Sequence, residues 1–175
     1  SGRGGSDLAK VHWSEATDSW PAFPQTRKEI LACIVAGKIQ NVVFLSGDIH
    51  CSNVCEMSFS GHKDATGLKA FSVTSSAFYW PFPFADGEPS SFVHDSKAKG
   101  QEDTFNFNVG DQPIAMDYKA WNFTQDDNFS RIDIDPGSHQ MTVSVFDKQG
   151  KLVRAGNWFR PDGKELIATL QLAPW

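Results

Sequence analysis

Positive charge is in short supply in this chain. Sixteen Lys and Arg stand against 21 Asp and Glu, a formal net charge of −5 over 175 residues. That balance gives no electrostatic reason to expect a nucleic acid or an anionic membrane surface as partner. Long apolar runs are missing too, and none approaches the roughly 20 residues of a membrane span. Cysteine is sparse and odd in number: Cys33, Cys51 and Cys55. Three thiols build no disulfide framework. On one strand Cys51 and Cys55 would lie about 13 Å apart, too far to bridge. No signal-peptide pattern opens the chain. Ser1-Gly2-Arg3-Gly4-Gly5-Ser6 reads instead as a linker, a cloning remnant or a cut inside a longer protein, so the compartment stays open.

What is present is an ordinary globular composition, 40% hydrophobic and 21% charged, with 14 Phe and 6 Trp. The length suffices for one domain with a real core. Residues 1–9 read as a flexible start or linker, and residues 10–175 as the body. Pro24 suits a helical first turn, and Ile30, Leu31, Ile34 and Val35 form one apolar stripe, so residues 24–38 are expected to be helical, ending near Gly37. Asn41-Val42-Val43-Phe44-Leu45-Ser46 then reads as a strand buried on both faces. Helix, short loop and buried strand make half of a βαβ unit, which implies a parallel strand upstream. Residues 52–60 alternate as a strand, Gly61-His62-Lys63-Asp64 turns, and residues 68–74 return as its hairpin partner. From Ser75 to about Gln112 the pattern dissolves into an aromatic, Pro-rich and then polar stretch. Five strands are expected after it, at 114–123, 129–135, 140–147, 152–159 and 166–172, with turns at Asp135-Pro136-Gly137 and Lys148-Gln149-Gly150. Two glycosylation triplets occur, Asn122-Phe123-Thr124 and Asn128-Phe129-Ser130, which matter only on a eukaryotic secretory route.

The chemistry concentrates in Ser46-Gly47-Asp48-Ile49-His50. Gly47 lets the backbone turn where the strand ends. Asp48 and His50 then emerge at a carboxyl end, where open α/β sheets place their sites. An oxygen and an imidazole donor two residues apart suit Zn, Fe or Mn. The competing reading is a turn-capping Asp beside a surface His, because two donors do not complete a metal site.

These residues resemble a family. Gly47-Asp48-Ile49-His50 after Val42-Val43-Phe44-Leu45 is similar to the last metal motif of PhoD-like metallophosphoesterases (the alkaline phosphatase D family). The wider calcineurin-like superfamily has Gly-His-x-His there. Asp18-Ser19-Trp20-Pro21-Ala22-Phe23-Pro24, Arg27, and Phe71-Ser72-Val73-Thr74-Ser75-Ser76 resemble the flanks of that branch, and residues 129–150 its closing hairpin. The superfamily's other motifs, Asp-x-His, Gly-Asp-x-x-Asp and Gly-Asn-His-Asp/Glu, lie upstream of this one and do not occur in residues 1–47.

The resemblance therefore implies an α/β fold, mostly β here: the carboxyl-terminal half of a metallophosphoesterase-like β-sandwich flanked by helices, completed by a missing amino-terminal half. It implies hydrolysis of phosphate mono- or diesters by a metal-activated hydroxide, with a metal pair about 3.5–4 Å apart. Asp48 and His50 would each ligate one metal, divalent or ferric (Fe, Ca, Mn or Zn). No catalytic residue is assigned in this chain. The chain alone is expected to be inactive, and an extracytoplasmic or secreted setting is compatible with the resemblance.

Among substrate candidates, Thr74, Ser75 and Ser76 suit phosphate hydrogen bonds or a strand-end turn. Trp80, with Phe78, Tyr79, Phe82 and Phe84, suits a substrate mouth or a loop packed on the core. Arg27 suits phosphate or a helix face where it is solvated or salt-bridged. Cys51 suits a third soft ligand or a buried structural thiol. His12, His62, His94 and His139 read as surface residues. Two other functions stand beside the phosphoesterase: a non-catalytic β-rich interaction module using residues 77–84, and an inactive phosphoesterase relative.

Overall fold

The computed structural model describes residues 23–47, 51–75, 105–154 and 163–175. Among these, one helix and eight strands follow one another: α1 (Pro24–Ala36), β1 (Val42–Ser46), β2 (Ser52–Ser60), β3 (Lys69–Thr74), β4 (Phe105–Val109), β5 (Gln112–Thr124), β6 (Asn128–Asp135), β7 (Gln140–Asp147) and β8 (Ile167–Gln171). The fold is mostly β, as the alternation in the sequence leads one to expect. Five strands form one sheet in the order β1-β3-β2-β5-β4, and three form a second in the order β6-β7-β8.

Period-two alternation in the strands assigns side chains to two cores. On one face of the five-stranded sheet, Met57, Phe59, Ala70, Phe107, Ile114 and Met116 pack with Leu31, Ile34 and Val35 of α1. On the other face, Val54, Phe71 and Val73 pack with Met141, Val143, Ala168, Leu170 and Leu172 from the second sheet and the residue after it. The layers are thus helix, five-stranded sheet and three-stranded sheet. β3 serves both cores, with Ala70 on one side and Phe71 and Val73 on the other.

The helix starts with Pro24 at its first position and buries Leu31, Ile34 and Val35, the stripe read from the sequence. Its stop differs in detail. Gly37 has an ordinary φ of −81°, and the left-handed residue is Lys38, at φ 51°. Lys38 donates its N–H to the Val35 carbonyl, and Ile39 donates to Ile34. These bonds satisfy two of the carbonyls that every helix end exposes.

Four expectations need correction. β1 is not buried on both faces: Val42 to Phe44 are half-buried and Leu45 is 69% exposed. The cause is its place at the sheet edge, where β3 is its one partner among the described strands. An apolar run of four reads the same whether one neighbour or two cover it. Second, a parallel partner of β1 also lies downstream: it is β3. Third, β4 lies inside the stretch read as irregular, where Phe105, Phe107 and Val109 alternate with Asn106 and Asn108 and face the α1 core. Fourth, residues 152–154 make only isolated bridges, Leu152 to Phe146 and Arg154 to Glu165. The rest of that expected strand, 155–159, lies outside the described residues.

The structure also bears on the two glycosylation triplets. Asn122 and Asn128 are both buried, at 1% and 0% exposure. A glycan needs an exposed asparagine, so neither triplet is presented by the folded chain.

The core assignments lead to a paired expectation. Phe71→Ala should lower unfolding free energy by about 3–5 kcal/mol, the cost of emptying a buried ring site. Leu45→Ser should change it by less than about 0.5 kcal/mol, as at most exposed positions. Urea denaturation followed by circular dichroism measures both, and equal costs would contradict the edge position of β1.

Candidate functional site

β1 and β3 run parallel in strict step, from Val42 opposite Ala70 to Ser46 opposite Thr74. Both strands therefore end at the same level. Ser46 Oγ and Thr74 Oγ1 share a hydrogen bond of 3.0 Å, and the Ser75 N–H donates to the Ser46 carbonyl at 2.9 Å. Gly47 follows, pressed against this partner: a Cβ there would lie 3.3 Å from the Ser75 carbonyl oxygen. Gly47 is not among the residues of positive φ. Close approach of two backbones, more than a left-handed turn, is what favours glycine here.

Asp48, Ile49 and His50, the centre of the motif, lie outside the described residues. The chain is described again at Cys51, which is buried, and enters β2 at Ser52. Asp48 and His50 are thus bracketed in sequence by Gly47, which follows β1, and Cys51, which precedes β2. Trp80, with Ser76, Phe78, Tyr79, Phe82 and Phe84, also lies outside the described residues, as do His12 and His94.

The second sheet reaches this end of the first. Ser52 Oγ donates to Asn128 Oδ1 at 2.5 Å, and Asn128 Nδ2 donates to the Asp126 carbonyl at 2.6 Å. The Ser130 N–H donates to Ser75 Oγ at 3.1 Å. Close by, the ladder between β2 and β5 slips register between Ser52 and Val54. Asn122 adopts φ 58° in the facing stretch of β5. Irregularities of this kind re-aim side chains and collect beside functional sites.

The other candidates fall into place around this end or away from it. Thr74 and Ser75 stand beside Ser46 and Gly47. Their hydroxyls are engaged with Ser46 Oγ and the Ser130 N–H, yet a hydroxyl that accepts one bond keeps a proton to donate. Arg27 is elsewhere: its guanidinium carbon stacks 3.9 Å over the Phe105 ring of β4, the sheet edge opposite β1. Burial lowers its pKa from the usual arginine value. This is a cation–π contact, not the solvated helix face expected of it. His62 sits in the β2–β3 turn, where its Nδ1 accepts from the Asp64 N–H at 3.3 Å. His139 lies edge-on to Trp175 with ring centroids 4.8 Å apart, at the far end of the second sheet. Among the described residues, no group of three or more His, Cys, Asp and Glu is placed to hold a metal ion.

Burial raises the Cys51 thiol above its usual pKa, and a hydrogen bond from Asn53 offsets this in part. The structure favours the reading of a buried, protonated thiol. Sequence reasoning missed Ser52 and Asn128 as a buried pair. Asn128 follows Asp126 and Asp127, so it reads as a turn residue, and only the packing shows that it is fully enclosed.

A family model described as PhoD-like phosphatase matches residues 3–143 of this chain. No curated protein and no solved structure matches it.

Thiol chemistry offers a check on these environments. Burial pushes the Cys55 thiol up to about 11 from 9.0, with a backbone hydrogen bond from Lys119 opposing and the Glu56 charge adding to it. The folded state therefore holds that proton more tightly. Its contribution is complete below 9.0 and is lost as pH rises toward about 11. Iodoacetamide at about pH 8.5 should label exposed Cys33 in the native protein and spare Cys51 and Cys55 until urea unfolds it. Mass spectrometry reads the sites, and native labelling of Cys51 as fast as Cys33 would contradict the buried-thiol reading.

Proposed function

The chain belongs to the PhoD-like phosphatase family, and from that membership we propose that it is the carboxyl-terminal part of a metal-dependent phosphoesterase. The observation that carries the reading is the shared end of β1 and β3. There, in register, Ser46-Gly47 meets Thr74-Ser75, and Asp48 and His50 follow in the sequence. The carboxyl ends of parallel strands are the side on which α/β sheets hold ligands.

Asp48 and His50 are the residues assigned to metal. A carboxylate oxygen and an imidazole nitrogen fit a hard or borderline cation: Fe, Mn, Zn or, through the carboxylate, Ca. Two donors do not complete a site, so the remaining ligands are assigned to residues upstream of Ser1. In this reading residues 10–175 are the carboxyl-terminal portion of one metallophosphoesterase β-sandwich, and residues 1–9 lead into it. When bound, the metal ions supply Lewis acidity toward phosphoryl oxygens and lower the pKa of the attacking water.

The chain's own residues then have simple tasks. Asp48 contributes negative charge that offsets the cations. His50 offers one ring nitrogen to metal, while its other N–H needs a carbonyl or carboxylate to fix the tautomer. Thr74 and Ser75 bring hydroxyls to the same strand end, suited to donate to the oxygens of a phosphate mono- or diester. Trp80 is assigned to the substrate mouth.

The experiment uses the full-length protein that carries this chain. His50→Ala should lose bound metal by elemental analysis. It should also lower hydrolysis of p-nitrophenyl phosphate and bis(p-nitrophenyl) phosphate by about a hundredfold or more, the scale of losing a transition-state contact. Full metal content together with an unchanged rate would overturn the assignment.

A further inference from the structure

We propose that residues 172–175 form a strap that closes the three-stranded sheet onto the start of β1, with Asn41 as its catch, and that strap and β8 open as one unit while the α1 core stays folded. These residues lie beyond residue 143, where the match to the family model ends, so family membership assigns them no role.

The chain leaves β8 at Gln171 and crosses from one sheet to the other. Gln171 Nε2 donates to the Ser138 and His139 carbonyls at 3.2 and 3.0 Å. The Leu172 N–H donates to the same His139 carbonyl at 2.9 Å. The strap is thereby anchored to the turn between β6 and β7. Leu172, 5% exposed, belongs to the core between the sheets. One residue on, Ala173 is gripped from the five-stranded sheet. Asn41 Nδ2 donates to its carbonyl at 2.9 Å, and Asn41 Oδ1 accepts its N–H at 2.8 Å. A side-chain amide here does what a neighbouring strand's backbone would do, satisfying both polar groups of one residue. The Trp175 ring then stands edge-on to His139.

The backbone of Asn41 suits the task. Its φ is 60°, in the left-handed region that asparagine enters more readily than most residues. It directly precedes β1, so the catch acts on the start of the strand that ends at Ser46.

The strap and β8 make a unit that can open by itself. Among the described strands β8 pairs with β7 alone. Trp175 is 66% exposed and adds little burial. Ala168, Leu170 and Leu172 serve the core between the sheets, and none of residues 167–175 belongs to the α1 core. Opening therefore uncovers Phe71 and Val73 and leaves Leu31, Ile34 and Val35 packed. Segments with few partners at an edge open at lower free energy than the centre of a fold.

Native-state hydrogen exchange, read by mass spectrometry on the full-length protein, tests this. Asn41→Gly removes the catch at a φ that glycine adopts without strain. Exchange in residues 163–175 should quicken about tenfold or more, the scale of losing two part-buried hydrogen bonds. Exchange in α1 and β4 should stay at the wild-type rate. Ile34→Val, which loosens the α1 core, should leave exchange in residues 163–175 unchanged. If Asn41→Gly does not fold, Asn41→Asp decides, since it keeps the acceptor for the Ala173 N–H and loses the donor to the Ala173 carbonyl. Wild-type exchange in residues 163–175 of the catch variant would overturn the proposal. So would equal quickening in α1, because a contact that merely stabilises the whole fold raises exchange everywhere.

Discussion

Parallel pairing of β1 with β3 brings together two strands that are separated in the chain by the whole of β2. Their register is unbroken from Val42 opposite Ala70 to Ser46 opposite Thr74. Both strands consequently stop at one level, and the backbones of Gly47 and Ser75 arrive side by side. Had the register slipped by one residue, every side chain of β1 would change face. Val42 and Phe44 would then leave the α1 core, and the motif would emerge at a different height. The level at which the chain leaves β1 therefore depends on ordinary core packing several residues away.

β3 is fixed because it has no free face. Its antiparallel ladder with β2 fills one edge and β1 the other. Ala70 faces the helix side, and Phe71 and Val73 face the second sheet. The second sheet contributes more than cover. Through Asn128 and Ser130 it places hydrogen bonds on Ser52 of β2 and on Ser75 after β3, where apolar packing alone would leave sliding open. Apolar contacts set the distance between the sheets, and polar ones set the position along them.

Much of this was legible in the sequence, and the gaps have physical causes. The stripe at Leu31, Ile34 and Val35, the alternation through residues 52–60, and the turns at Pro136-Gly137 and Gln149-Gly150 all carry local signals, and the elements formed where those signals lie. The edge position of β1 carries no such signal, because the number of neighbours a strand has is decided by distant pairing. β4 did alternate, with Phe105, Phe107 and Val109 against two asparagines, but its polar surroundings hid the pattern. Ser52 and Asn128 were invisible for a third reason: small polar residues read as turn formers until a second sheet encloses them. Asp48 and His50 stood out through donor chemistry and the strand before them, and both lie outside the described residues. The hydroxyls of Thr74 and Ser75 were found by their place at a strand end, whereas their bonds to Ser46 and Ser130 needed the fold.

The central claim is that metal binds where β1 and β3 end. Anomalous diffraction at the manganese edge, from crystals of the full-length protein grown with Mn²⁺, tests it most directly. The account predicts a peak beside the carboxyl ends of these two strands, with the Asp48 carboxylate and the His50 imidazole at about 2.0–2.3 Å from metal. A metal bound elsewhere, or one at this end ligated by neither residue, would contradict it.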